Sequence, residues 1–349
     1  MAHQSNLAFS NGRTKSMRIF ISGIAGFLGS YLAEEFQKLG HEVFGCDNLS
    51  GGYVENVPNG VKWHVVDLCD FSALLKLTEG MDIIYHCAAT AYEGLSVFSP
   101  YFVTNNIVGA SVSLMTAAIQ NKVKRFIYCS SMARYGNNKV PFTEDMIPCP
   151  VDPYGIGKVA GENYLKNLAQ THGMEYVIAV PHNIIGPRQK YDDPYRNVAS
   201  IMINLMLQNR QPVIYGDGNQ KRCFSFISDD VEILTKFALE PGISGEVFNI
   251  GPDEEFVTIN QLAETIAELL DFPLKPIYVP ERPQEVRLAN CSADKIRKRF
   301  GYNPQYSLHE GIKEMIQYIK LHGVKKFLYH INLEILNERT PETWQKQIF

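Results

Sequence analysis

A glycine-spaced turn, Gly23-Ile-Ala-Gly26-Phe-Leu-Gly29, stands between an apolar run and an amphipathic one, and no other stretch constrains the fold as much. Before it, Met17 to Ser22 has the β-branched and aromatic content of a short buried strand. After it, Ser30 to Leu39 places Leu32, Phe36 and Leu39 at helical spacing and stops at Gly40, a helix-ending residue. A second strand, His41 to Asp47, then delivers an acid 24 residues beyond Gly23. Glycines allow a tight turn and let backbone N–H groups approach an anion resting on the positive end of the next helix. Strand, glycine turn, helix, strand and acid together are the context of a dinucleotide-binding fingerprint. Gly23, Gly26, Phe27, Leu28, Gly29 and Asp47 are therefore the expected cofactor contacts.

The alternation continues for about 180 residues, with strands read at 18–23, 41–47, 61–66, 82–88, 123–129 and 175–180. Helices read at 28–39, 71–78, 99–120 and 153–171. Such βαβ units give a parallel sheet covered on both faces, a doubly wound Rossmann α/β fold whose ligands lie at the carboxyl ends of the strands. Gly23, Asp47, Asp67, Ala88 and the Ser130–Ser131 pair all fall there. The expected cofactor-binding domain spans 17–186. Beyond Pro187 the elements shorten: helices at 197–208 and 258–270 and a strand at 212–215 suggest a smaller C-terminal substrate-binding domain over 187–335, with 223–251 returning to the sheet. Residues 1–16 are polar and read as a disordered extension, and 321–349 carries no legible motif.

Composition narrows the class. A net charge of −4 gives no reason to expect nucleic acid or an anionic membrane as partner. No run approaches the ~18 uninterrupted apolar residues of a membrane span. Seven scattered cysteines, without Cys-x-x-Cys or His-Glu-x-x-His spacing, read as reduced thiols of a cytosolic protein and offer no metal site.

The second chemical feature is Tyr154-Gly-Ile-Gly-Lys158. Residues i and i+4 share a helical face, and a nearby ammonium favours phenolate, making a general base. The spacing recurs at Tyr135 and Lys139, but Gly136-Asn137-Asn138 between them is turn chemistry. Tyr154 follows Pro153, a good first helical residue, and precedes the pattern Val159, Tyr164, Leu165, Leu168.

A third piece, Tyr128-Cys-Ser-Ser-Met-Ala-Arg-Tyr-Gly136, ends a strand. With the glycine turn upstream and Tyr154 downstream, the order of parts over about 17–320 resembles the extended short-chain dehydrogenases, specifically the NAD-dependent nucleotide-sugar epimerase/dehydratase family. The resemblance implies NAD as cofactor and Ser131, Tyr154 and Lys158 as the catalytic set. It puts Asp47 and Asn48 on the adenosine ribose, Asp67 and Leu68 by the adenine, and Ala88 and Ala89 at the strand end. Asn106 and Ser130 join the cofactor side. It places Asn183 by a nucleotide-sugar diphosphate, Arg222 (after Tyr215-Gly-Asp-Gly) and Arg282 on its phosphates, and Glu285 on the nucleoside ribose. Arginine suits that task because its planar fork pairs with phosphate oxygens. Tyr215 counts with the substrate residues, and Ala289 falls where relatives tune the space beside the sugar.

Three positions depart from the family pattern: Arg134 replaces a usual valine, Val180-Pro-His182 an Arg-aromatic-aromatic run, and Gln284 a glycine. Family dehydratases carry Thr-Asp-Glu where this chain has Ser131-Met132-Ala133, so elimination of water is disfavoured. The implied activity is 4-epimerisation of a nucleotide-activated hexose through a 4-keto intermediate. A net dehydrogenase, a decarboxylase and a non-catalytic NAD sensor remain as alternatives. Relatives pair the helices at 99–120 and 153–171 across a two-fold axis. Val108, Val112, Met115, Ile119, Gly157, Ala160 and Gly161 would supply that homodimer face.

Overall fold

The structure, a computed structural model, describes residues 16–349, so the extension expected over 1–16 falls outside the described residues except for Ser16. Seven parallel strands form one sheet: β1 Arg18–Ser22, β2 Glu42–Asp47, β3 Lys62–Val65, β4 Ile83–His86, β5 Arg125–Cys129, β6 Glu175–Pro181 and β7 Val247–Ile250. Their order is β7-β6-β5-β4-β1-β2-β3. The winding direction reverses between β1 and β4, which opens the crevice in which ligands of such sheets bind. Register keeps the carboxyl ends level: Ser22 lies beside Cys46 and His86, and Cys129 beside Ala179.

The helices that follow from the apolar periodicity cover both faces. On one side α1 (Phe27–Lys38) packs with a later helix, Ile227–Lys236, around Phe36, Tyr85, Phe237 and Phe248. On the other lie α2 (Phe71–Leu77), α3 (Pro100–Gln120) and α4 (Pro153–His172), around Leu114, Met115, Phe126 and Leu165. β7 pairs with β6 as the last strand. His86 ties the layers together: its ring nitrogens meet the Ser22 and Ser111 hydroxyls at 2.7 and 2.9 Å, and burial holds its imidazole down at about 3, hence neutral. By length and mean hydropathy of 1.4, α3 would pass as a membrane-crossing helix, but it packs against α2 and α4.

Two readings of the helices change. The one helix expected over 99–120 contains a wider π turn at Asn105–Gly109, a form often met at functional sites. Of the residues expected on the homodimer face, Met115, Gly157 and Gly161 turn inward, whereas Val108, Val112, Ile119 and Ala160 stay half-buried. Gly161 leaves room for the Tyr128 hydroxyl, 2.3 Å from where its Cβ would lie, and Gly157 faces Ile107 and Val108; Met115 is fully buried. What these helices expose instead is Tyr101, Ile156 and Tyr164.

The remaining chain builds a second core beside the crevice from α5 (Val198–Leu207), α7 (Ile259–Leu270) and α8 (Leu308–His322), with Met202, Ile203, Leu262, Ile266, Ile312 and Met315 inside; the helix Ile227–Lys236 is α6. Capping boxes at Thr258–Gln261 and Ser307–Glu310 start α7 and α8. Short strands 213–215, 221–222 and 288–289 carry the residues that face the sheet across the crevice.

Candidate active site

Two cavities meet along the carboxyl edge of the sheet. The first brings together Gly23, Gly26, Phe27, Leu28, Gly29, Asp47, Asn48, Asp67, Leu68, Ala88, Ala89 and Asn106. Gly23 has φ +76°, and a Cβ there would lie 2.8 Å from the Ala88 backbone; at Gly29 it would lie 2.2 Å from the Gly23 carbonyl. Only glycine fits this turn. The first turn of α1 has Gly26 as its cap and no side-chain acceptor, so its N–H groups are left for an anion. A dinucleotide pyrophosphate fits that cradle.

Asp47, nearly buried at the end of β2, accepts N–H groups of Ala25 (3.0 Å) and Leu49 (2.7 Å), so it also clamps the glycine turn. Burial raises its carboxyl, and those N–H groups partly oppose the rise. Asn48 donates to Asp67 at 2.9 Å, linking the ends of β2 and β3. The local sequence offers no cation for a 2′-phosphate, yet Arg196 reaches this cavity from far along the chain. Its guanidinium is engaged by the Gly51 carbonyl (3.0 Å) and the Tyr92 ring (5.2 Å). Asp47 therefore decides: NAD should bind much more tightly than NADP, and an equal or tighter NADP titration would refute that.

The second cavity, about 390 Å³, holds Ser131, Tyr154, Asn183, Tyr215, Arg222, Arg282, Glu285 and Ala289. Tyr154 opens α4, whose N-cap Asp152 accepts the Gly155 N–H at 2.7 Å, and Ser131 lines the same cavity as the phenol. Its rival Tyr135 is fully buried away from both cavities and donates to Asn249 at 2.7 Å. Lys158 lines neither cavity. Its ammonium donates to the Cys129 carbonyl at 2.8 Å, lies 5.9 Å from the Tyr154 ring, and is pulled down to about 8 by burial. The phenol itself is pushed up, by burial first and by Glu93 second, so the expected lowering by Lys158 is not seen in the free protein. Ser130 is placed on the substrate side, its hydroxyl donated to Glu162 at 2.5 Å, which leaves it no hydroxyl proton to offer a cofactor.

At the far end Arg222 and Arg282 converge on one carboxylate. Arg222 donates to one Glu285 oxygen at 2.9 Å; Arg282 donates to the other from Nη2 (2.7 Å) and Nε (3.0 Å). Burial alone would raise Glu285, but Arg282 and Arg222 hold it below the usual carboxylate range. Glu285 thus organises the arginines, a role that the ribose assignment did not include. Asn183 donates to the Cys223 carbonyl at 2.8 Å, and Ala289 pairs in register with Arg222. Gln284 takes a left-handed φ of +61°, a conformation that favours glycine, the residue the family resemblance leads one to expect there.

The sequence reading did not single out Glu93, Asp152 and Arg196, all lining the second cavity. Burial and Glu93 bring the Asp152 carboxyl up to about 7, although the Gly155 N–H opposes them. Glu93 is exposed to solvent and lines the cleft, and the protein atoms crowded around it raise its carboxyl. Their positions just beyond β4 and just before helices were the available signal. Among the described residues, no His, Cys, Asp or Glu side chains group to hold a metal.

Residues 19–251 match the NAD dependent epimerase/dehydratase family. The chain is 33% identical over 317 residues to the UDP-glucose 4-epimerase of Mycolicibacterium smegmatis, covering 87% of this chain and 99% of that protein. It is 30% identical over 321 residues to the UDP-N-acetyl-alpha-D-glucosaminuronate decarboxylase of Bacillus cytotoxicus, covering 87% and 98%. Its fold matches the UDP-glucose 4-epimerase of Thermotoga maritima with UDP-glucose, at a TM-score of 0.83 and 32% identity over 88% of this chain and 99% of that one. Glycine turn, tyrosine–lysine helix and parallel sheet thus agree with the match, and the chain belongs to the NAD dependent epimerase/dehydratase family.

Proposed function

We propose that this protein inverts C4 of a nucleotide-activated hexose. The observation that carries the reading is one cleft with a phenol and a hydroxyl at one end, Tyr154 and Ser131, and two convergent arginines at the other. Such a set suits a sugar held through its diphosphate while a phenol acts on its ring. NAD, bound in the adjoining cavity, supplies reversible hydride acceptance. Tyr154 Oη takes the proton of the C4 hydroxyl, and Ser131 Oγ holds the same oxygen and passes the proton between them. Lys158 presents a buried positive charge below the phenol. Arg222 and Arg282 hold the diphosphate while the flat 4-keto sugar turns its other face. Ser131-Met132-Ala133 carries no acid at the two positions after the serine.

The test is a panel of uridine, guanosine and deoxythymidine diphosphate hexoses, with products read by NMR and NADH by absorbance. A C4 epimer without accumulating NADH is expected. Carbon dioxide from a uronate, or stoichiometric NADH, would replace the reading with a decarboxylase or dehydrogenase.

The buried Ala289 methyl leaves space beside the sugar, which favours a 2-acetamido hexose or an extended C6 tail. Ala289→Tyr should overpack that space by ~1–3 kcal/mol, slowing the bulky substrate ~5- to 150-fold more than a plain hexose. Equal slowing of both would place Ala289 away from the sugar. The exposed Tyr101, Ile156 and Tyr164 on α3 and α4 further support an isologous homodimer, which light scattering at micromolar concentration should register as twice the chain mass.

A further inference from the structure

Beyond α8 the chain does not leave the molecule. Residues 324–349 run back across the mouth of the cleft with one short helical turn, Glu342–Gln345, and are tied to both sides. On the sheet side, the Glu334 carboxylate accepts the Tyr101 and Phe102 N–H groups at 2.9 and 2.8 Å, at the start of α3. On the other side, Asn204 of α5 donates to the Lys325 carbonyl at 2.8 Å, and Arg210 to that of Ile348 at 2.7 Å. Between these anchors an aromatic cluster forms. Trp344, 3% exposed, packs on Phe98, Tyr195 and Tyr215 with ring centroids 5.7–6.4 Å apart.

The segment lines the substrate cleft with Phe349 and reaches it again through the cleft residue Tyr215. The Tyr215 hydroxyl and the Thr343 hydroxyl are 2.5 Å apart, with Thr343 fully buried. The face of Tyr215 carries the Arg282 guanidinium at 4.7 Å, and the other side of that guanidinium lies against Gly94. Tyr215 ends a two-stranded ribbon of three residues per strand, which by itself gives little hold on an aromatic side chain.

We propose that residues 324–349 are a strap that fixes Tyr215, and through it Arg282, in the phosphate-binding position. Thr343 and Trp344 are then positioning residues for the nucleotide half of the substrate. The proposal rests on reading the cleft as a nucleotide-sugar site. It assigns the strap to binding of a nucleoside diphosphate and gives it no part in the chemistry at Tyr154.

Calorimetric titration of the full chain with uridine, guanosine and deoxythymidine diphosphates tests it. Thr343→Val, which keeps shape and removes the hydroxyl, should weaken the best of these about fivefold, the scale of one hydrogen bond. Thr343→Ser should bind as the parent does. Tyr215→Phe should lose a similar factor, and combining it with Thr343→Val should lose no more. In turnover, the loss should fall on KM more than on kcat. Parent-like affinity in a folded Thr343→Val protein, or equal losses in the valine and serine variants, would overturn the strap's role. Failure of the parent to bind any of the three would overturn the reading of the cleft, and the strap with it.

Discussion

Tyr154→Phe should reduce turnover by the ~10²–10⁴ that accompanies loss of a general acid–base group, while the melting temperature and cofactor content stay near those of the parent. The ring is buried against Val103 and Ile107, so phenylalanine keeps its packing and removes only the oxygen. In the free protein that phenol is held up by burial and by Glu93, so further positive charge brought into the cleft is the expected route to its phenolate. A pH profile of kcat/KM that rises well below the ordinary tyrosine value would report this. Tyr135→Phe is the control. It removes a buried hydrogen bond to Asn249 and a contact to Arg134 at 3.2 Å, so it should cost stability and leave the chemistry alone. The opposite pattern, an inactive Tyr135→Phe and an active Tyr154→Phe, would move the chemistry out of the cleft and refute the site.

The largest effect on stability should come from Arg134→Met. Arg134 and Glu162 are 2% and 1% exposed in their side chains; Nε lies 2.9 Å from one carboxylate oxygen, and Nη2 donates to the other at 2.9 Å. Removing this cation leaves the buried carboxylate with the half-buried Lys166 at 3.9 Å and the Ser130 hydroxyl, and breaking a buried pair typically costs ~3–5 kcal/mol. The same carboxylate accepts the Ser130 hydroxyl, so activity should fall with stability. Arg134→Met combined with Glu162→Leu removes both charges and should recover most of the loss, because buried pairs often trade evenly with apolar residues of similar size. Thermal unfolding of the three variants decides the matter: a double variant as unstable as the single one would mean that the side chains pack and the charges contribute little.

That ion pair shows where the sequence stops being legible. Arg134 was visible as a departure from the family pattern, but its partner is 28 residues away on the buried face of α4, and nothing local marks it. The sheet, by contrast, was written in short-range signals. Each of β1 to β6 falls within two or three residues of its expected bounds; for all but the exposed edge strand β3 the reason is that buried parallel strands are near-continuous apolar runs. Gly23 and Gly29 were legible for the same reason: a turn that admits no Cβ leaves glycine as its mark. Gly157 and Gly161 carry the same mark with another cause, since a missing Cβ does not say which neighbour fills the gap. Glu93 opens a single helical turn, Glu93–Ser96, too short to carry a period, Arg196 lies in a loop, and only folding brings them to one cleft.

The shared carboxylate at Glu285 has a kinetic consequence. Two bare guanidiniums would meet an incoming diphosphate as a doubly positive cluster; with Glu285 between them the cluster carries a single positive charge. On the proposed reading, the ligand would displace an internal anion on arrival, and that anion would re-form its contacts on departure. Dwell time should then be shortened more than recognition is weakened, since the fork geometry is already in place before the ligand comes. A substrate and product that differ only in the hand of one carbon would both be held by the same arginines, and a fast exit would set how often the site can be used.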